Sequence, residues 1–514
     1  MNIVWFKRDL RIYDHAPLVK AVSKGETCAL YVVEKEYWKL PDTSYRHWEF
    51  TKECLRDLDK QLESINLQLI VKFGDVLTVL KEIHLNQCID GLFSHEETGN
   101  LWQRERNEKI RVWCKKTGIL WNEFQQFGVI KGLRSRNGWA KKWNSFMTQP
   151  CHHSPQKMQM PDSASKNPYL QNMFRRRDIR LSQDRQHGGR SMGLKVFESF
   201  LKNRSLNYRN NLSSPLTAFD SCARISPYIV YGCLSMREVV QATRARMEEL
   251  KSEEFAVRKP WISSLKSFYA RLHWHCHFIQ KLEDDPTFET QNVHSAYNGM
   301  RDENRLLIRR YNAWATGKTG FPFVDACMRA LIDLGWINFR MRAMIQAFAS
   351  YHLWIHWRFS GLHLARLFID YEPGIHWNQV QMQSGTTGIN TLRIYNPVKQ
   401  SMDQDPKGHF IRRWVPELSL IDDDFIHEPW KMTLAQQKTR KCVVGVQYPE
   451  PIINHLEAAK NARLQVYSRR KNTKFAIESQ RIQEKHGSRK SGMAHVRKRN
   501  IKSKVLEAQL ALDL

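Results

Sequence analysis

The stretch RLHWHCHFIQ, residues 271–280, crowds three histidines and a cysteine into five positions. Histidine and cysteine at short spacing can clamp a metal, pair a nucleophile with a base, or wall a cavity. On a helix His273 and His277 share a face while His275 and Cys276 point elsewhere, so a metal would find two ligands here at most. There is no HExxH pattern, and Cys276 diverges from its neighbouring histidines, which weakens a nucleophilic pair. The reading that remains is a cavity wall without metal, Trp274 offering a flat face and His275 a titratable donor. Elsewhere, "CHH" at 151–153 reads as an exposed loop triplet. "ATGKTG" at 315–320 has Asn312 where a phosphate-binding loop needs its first glycine, and no buried strand precedes it. Arg342 and Asp370 each lie in an apolar run, where an isolated charge is strongly unfavourable, so each requires a partner; an ordinary structural salt bridge satisfies that requirement as well as a functional one.

The elements that position these residues follow from periodicity. A chain of 514 residues with 42% hydrophobic composition is long enough for two or three domains. Residues 1–131 alternate short β-rich runs ("NIVWF", "CALYVV", "LQLIVKF") with helical stretches, which predicts an α/β domain on a parallel sheet. No GxGxxG follows its first strand. Residues 132–190 are polar and irregular and read as a linker. Residues 191–467 carry amphipathic helical patterns and predict a large all-α domain. Residues 468–514 read as a basic C-terminal tail, disordered in preference to a late helix that orders on nucleic acid.

Lys plus Arg number 80 against 52 for Asp plus Glu, a formal charge of +28. Such a field suits a polyanion, with nucleic acid the first candidate, and 17 tryptophans supply stacking surfaces for exposed bases. The ten cysteines lie singly, as reduced thiols do. No run of eighteen apolar residues occurs and the first residues are charged, so a soluble, cytoplasmic monomer with no membrane contact is expected.

Read in order, "IVWFKRDLRIYDHAPL" (3–18), "ARISPYIVYGCLS" (223–235), "GKTGFPFVDACMRALIDLGWINFRMRAM" (317–344), "RIYNPVKQSMDQDPKGHFIRRWVPEL" (393–418) and "HEPW" (427–430) resemble the photolyase/cryptochrome family over residues 1–467. The resemblance implies an α/β antenna domain joined to a helical domain holding FAD. It also implies a light-driven lyase that splits cyclobutane pyrimidine dimers in UV-damaged DNA, by electron transfer from excited reduced FAD to a flipped-out lesion. A second antenna chromophore of unassigned identity belongs to the same expectation. The family's flavin-binding positions fall on Tyr208, Arg224, Ile225, Ser226, His275, Phe339, Arg342, Asp370 and Glu372. Trp274 and Arg340 match residues that contact the lesion.

The departures are as informative. Arg271 stands where many members have a glutamate that contacts the dimer, Phe339 where they have asparagine, and Met382 where a tryptophan flanks the dimer. The flavin-facing asparagine is displaced to His376 or Asn378. Val380 replaces the inner tryptophan of the electron-transfer chain, leaving Trp357 as its middle member. These substitutions predict an outlying branch with a preference for single-stranded DNA. The alternatives are a cryptochrome-like blue-light photoreceptor and a 6-4 photoproduct photolyase.

Overall fold

The computed structural model describes residues 1–156, 182–471 and 473–487. Five parallel strands, β1 (Asn2–Phe6), β2 (Thr27–Val33), β3 (Leu69–Phe73), β4 (Gly91–His95) and β5 (Leu120–Phe124), form one sheet in the order β3-β2-β1-β4-β5. Every residue of β1, β2 and β4 is buried, which is why these strands read as near-continuous apolar runs: helices cover both faces of a parallel sheet. Strand order reverses between β1 and β4, and such a reversal leaves a crevice beyond the carboxyl ends of the strands.

The helical part begins at the Arg190–Lys202 helix and is organised around four pieces. The long helix, Phe255–Asp284, runs thirty residues. The rim helix, Phe339–Ala347, continues into a π-helical turn, Phe348–His352. Trp357–Leu367 follows, and then the wall helix, Pro373–Ser384, which opens with proline at its first position and Glu372 as its cap. The wall helix lies so close to the long helix that a Cβ on Gly374 would stand 2.6 Å from the Ile279 Cα. One apolar core runs from Val4 and Phe6 of the sheet to Ile279 and Ile369 of the helical part. Ion pairs and hydrogen bonds cross the same boundary: Arg8 to Glu372 at 2.5 Å, the Tyr371 hydroxyl to Asp42 at 2.7 Å, and Asp14 to Ser235 and Arg237.

Two expectations are corrected. The stretch expected to be an irregular linker contains a helix, Trp139–Thr148, whose Trp139, Trp143 and Met147 recur every four residues and are all buried; so short a stripe among polar residues is easily overlooked. Further on, His187, Gly188, Gly189 and Arg190 lie along the Tyr45–Glu63 helix, Gly188 so tightly that a Cβ would meet the Phe50 carbonyl oxygen at 2.4 Å. The expected tail contains a helix, Thr473–His486, that docks on the helical part. Phe475 stacks on His294 at 4.1 Å, Glu478 accepts from Ser295, and Lys485 pairs with Asp285. Residues 157–181, 472 and 488–514, the remainder of those two expectations, lie outside the described residues.

Candidate functional site

A cavity of about 590 Å³, its open mouth included, lies between the rim helix, the Trp357–Leu367 helix and the wall helix. Ala343, Leu364, Phe368, Ile375 and Val380 give it flat apolar faces, and Phe339, 46% exposed, stands at its mouth. Arg342 and Asp370 meet across it in a two-pronged pair, Nη1 to Oδ1 at 2.9 Å and Nη2 to Oδ2 at 3.0 Å, the geometry in which guanidinium and carboxylate bind most strongly. The Ser226 hydroxyl adds a 2.6 Å bond to the same carboxylate. Arg342 also lies over the Phe368 ring at 4.2 Å. Each of these charges thus has the partner that its apolar sequence context demanded.

Of the residues singled out from the sequence, Phe339, Arg342, Asp370, Glu372 and His376 line this cavity. Glu372 does so while bound to Arg8, and His376 Nε2 donates to the Gly361 carbonyl at 2.8 Å. Burial holds His376 down at about 4, so the ring is neutral at physiological pH. Asn378 turns away: its amide bonds the carbonyls of Gly374 and Phe278, tying the wall helix to the long helix. Its neighbour Gln379 lines the cavity instead.

Tyr208, Arg224 and Ile225 stand behind this first layer. Tyr208 is buried edge-on against Phe200 and Phe268, its hydroxyl beside Arg271. Ile225 is core. Arg224, in the left-handed region at φ 56°, is sandwiched between Phe219 and Trp336 at 4.7 and 4.5 Å, and burial lowers its pKa to about 10.

The long helix explains the opening motif. Arg271, Trp274 and Phe278 fall at i, i+3 and i+7 on one face, where Trp274 stacks on Phe278 at 5.7 Å and Arg271 reaches to 6.0 Å from the Phe339 ring at the cavity mouth. His273 and His277 do share a face, but it is a packing face. His273 lies between Trp139 and Trp143 at 4.9 and 4.8 Å, and His277 Nδ1 accepts a 2.6 Å bond from Arg136. His275 is corrected as a titratable donor. Successive helical residues point about 100° apart, so next to Trp274 it turns inward, against Phe127 at 5.5 Å, where burial lowers its pKa to about 3.

Arg340 sits on the rim helix beside Phe339, its Nε buried without a protein partner. Met382 is half-buried near the end of the wall helix. Trp357 is buried, its indole N–H donating to Asn292 at 2.8 Å.

Several residues escaped the sequence reading. Gln346, Gln379 and Gln383 line the cavity, and the Oε1 of each is buried without a protein partner. Trp377, one turn before Val380, packs with Val380 and Trp357 in a small apolar cluster, its ring 5.7 Å from that of Trp357. Trp357 and Asn292 border an open cleft of about 1120 Å³, its mouth included. A flat apolar slot edged by unsatisfied amides and a fixed ion pair fits a planar heteroaromatic ring with hydrogen-bonding edges, as the isoalloxazine of FAD is.

A second cavity, about 730 Å³, occupies the crevice at the strand reversal and is bordered by Trp5, Lys7, Arg8, Tyr37, Tyr231 and Tyr371. Near it, Asp9, His15 and His95 form the one group with metal-ligand types and spacing among the described residues. His15 Nδ1 accepts from the Leu18 amide, so its Nε2 carries the proton donated to Asp9, and that nitrogen has no lone pair for a metal. The GKT loop is closed likewise: the amides of Thr319 and Gly320 donate to Asp325.

Residues 2–131 match the family model described as DNA photolyase, and residues 268–468 match that of the FAD binding domain of DNA photolyase. A deoxyribodipyrimidine photo-lyase of Alkalihalophilus pseudofirmus is 26% identical over 493 residues, covering 90% of this chain and 97% of that protein. Cryptochrome-1 of Drosophila melanogaster is 24% identical, covering 91% of this chain and 94% of that protein. Among solved structures, a class III photolyase from Agrobacterium tumefaciens superposes with a TM-score of 0.80 at 22% identity, covering 91% of this chain and 98% of that one. An archaeal photolyase from Sulfolobus tokodaii, solved with two FAD molecules, gives 0.74 at 24% identity, covering 91% and 100%.

Proposed function

Because the chain belongs to the photolyase/cryptochrome family and carries its FAD-binding domain, we propose that it is a light-driven DNA-repair lyase that splits cyclobutane pyrimidine dimers, with a preference for single strands. The observation that carries this reading is the furnishing of the cavity mouth: Arg271 over an exposed Phe339, half-buried Trp274 on the same face of the long helix, and Arg340 alongside. Reduced FAD held in this cavity would supply light-driven electron transfer to the dimer. Arg342, Asp370, Ser226 and the three cavity glutamines would hold it, and the crevice at the strand reversal would hold a second chromophore.

The chain's own part is to bring a lesion to that mouth. Arg340 and Arg271 attract phosphate, and Trp274 stacks on bases, a contact worth about 1–3 kcal/mol per base. Flipping a dimer out of a duplex costs a few kcal/mol, which contacts to the flipped bases must offset. Arginine and phenylalanine here replace an acid and an amide, so fewer hydrogen bonds offset that cost, and a strand that is already single avoids it. The aromatic series His376, Trp377, Trp357 leads from the cavity wall to the open cleft, with rings 5.0 and 5.7 Å apart, and supports electron entry through Trp377 and Trp357 in place of the position occupied by Val380.

Illumination of the reduced holoprotein with oligonucleotides bearing each lesion, single- and double-stranded, tests the reading. Faster loss of the cyclobutane dimer from the single strand is expected, with Trp274→Ala slowing both substrates and Arg340→Ala weakening damaged DNA more than undamaged. Equal rates at matched low salt would sink the strand preference. The second reading, a cryptochrome-like photoreceptor, draws on the cationic and apolar mouth that lacks an acid for the lesion; absence of repair of either strand would select it. Repair confined to the 6-4 lesion would move the assignment to that substrate.

A further inference from the structure

Cys54 and Cys233 are both 0% exposed and come from the two parts of the molecule. Cys54 lies on the Tyr45–Glu63 helix of the α/β part, and Cys233 on the turn that follows a short helix, Ser226–Val230, of the helical part. Their sulfurs stand 3.4 Å apart although 179 positions separate them in the chain. Backbone holds the contact from both sides. The Gly189 amide, at the start of the Arg190–Lys202 helix, donates to Cys54 Sγ at 3.2 Å, and a Cβ on Gly188 would meet the same sulfur at 2.8 Å. Arg190 donates to the Cys233 carbonyl at 2.9 Å, Arg11 to the Gly232 carbonyl at 2.9 Å, and the Leu10 amide to the Tyr231 carbonyl at 3.1 Å. A disulfide needs its sulfurs about 2.05 Å apart, so the remaining gap is about 1.4 Å, a movement that rotation of the two side chains can supply. The flavin cavity uses neither thiol.

We infer that Cys54 and Cys233 are a modification site at which hydrogen peroxide oxidises the pair to a disulfide, joining the α/β part covalently to the helical part. Cys54 attacks first, since the Gly189 N–H and the helix N-terminus behind it favour its thiolate. Its sulfur takes one peroxide oxygen, the O–O bond breaks and water leaves. The Cys233 sulfur then attacks the Cys54 sulfur, the S–O bond breaks and a second water leaves. Two thiols lose two hydrogens and two electrons, and one peroxide becomes two waters. Burial pushes the Cys54 thiol well above its usual range, so the pair answers sustained oxidant and not a brief pulse. The crevice at the strand reversal is the approach: its walls include Thr51, one turn before Cys54, and Tyr231, two residues before Cys233. The disulfide fixes the spacing of those two walls.

The test is incubation of the full chain with hydrogen peroxide, followed by alkylation in denaturant, peptide mapping without reductant, and thermal melting. The expected product is a linked pair of peptides carrying Cys54 and Cys233, two hydrogens lighter than the reduced pair and separated again by dithiothreitol. The oxidised protein should melt a few degrees higher, because the bond closes a loop of 179 positions in the unfolded chain. Cys54→Ser and Cys233→Ser should each abolish both the link and the rise. Full alkylation of Cys54 and Cys233 after the exposed Cys88 has been oxidised overturns the inference. A disulfide from either thiol to any other cysteine overturns it too. If neither serine variant folds, the wild-type peptide map decides alone.

Discussion

At the scale of single residues, Arg342 and Asp370 make the strongest electrostatic statement in the cavity. Asp370→Asn leaves the Arg342 guanidinium facing a neutral amide and weakens the Ser226 bond. Removing one partner of a buried pair costs roughly 3–5 kcal/mol, and because the Arg342 side chain is 24% exposed, solvent screening lowers the expectation here to about 1–3 kcal/mol. The outcome to look for is flavin lost on dialysis from Asp370→Asn and retained by wild type. This pair was legible in the sequence because a charge in an apolar run announces a missing partner. Gln346 was not legible: a neutral amide makes no such announcement, and its orientation depends on three serines up to 38 positions away.

At the scale of elements, the wall helix places Trp377 beside Val380, and this positions a tryptophan where a linear comparison finds none. Trp377→Phe should keep its flavin while light-driven bleaching of the oxidised flavin absorption slows roughly tenfold or more, equivalent to at least about 1.4 kcal/mol of barrier. Bleaching at the wild-type rate would remove Trp377 from the electron path. The Thr473–His486 helix separates two kinds of truncation. Deletion of 488–514 leaves the Phe475 to His294 stack intact, so the melting temperature should hold while binding to undamaged DNA weakens, because many Lys and Arg are lost. Phe475→Ala, in the full chain, should lower stability by about 2–4 kcal/mol, read from urea unfolding. Both this helix and Trp139–Thr148 were hidden in polar sequence, because an anchor of two or three apolar residues suffices once a large neighbour supplies the rest of the core.

For the whole molecule, burial sets an acid limit. His47, His356, His363 and His376 are held down to about 4, His95, His275 and His352 to about 3, and His277 to about 2, each chiefly by burial. On unfolding each returns to about 6.5 and takes up a proton. Their contribution is therefore fully present above pH 6.5 and is lost progressively as pH falls towards 4. Glu289, raised to about 7, and Asp325, raised to about 6, act in the opposite sense, since burial makes them hold protons in the folded state. Eight histidines outweigh two carboxyls. With about 1.4 kcal/mol per pH unit for each net proton, the urea midpoint should be clearly lower at pH 5.5 than at pH 7.5, and equal midpoints would show that these histidines are not buried as described.

The sequence by itself determined the family, the α/β and helical architecture and the Arg342 to Asp370 pairing, since apolar periodicity and ordered blocks of residues are properties of the chain read in one dimension. Which way a side chain faces was decided only by tertiary packing. A step of 100° per residue separates Trp274, stacked on Phe278, from His275, turned against Phe127, and Asn378 in a helix contact from Gln379 on the cavity wall. Residue type does not encode that rotation; the neighbouring helices fix it when they bury one face and leave the next to line the cavity.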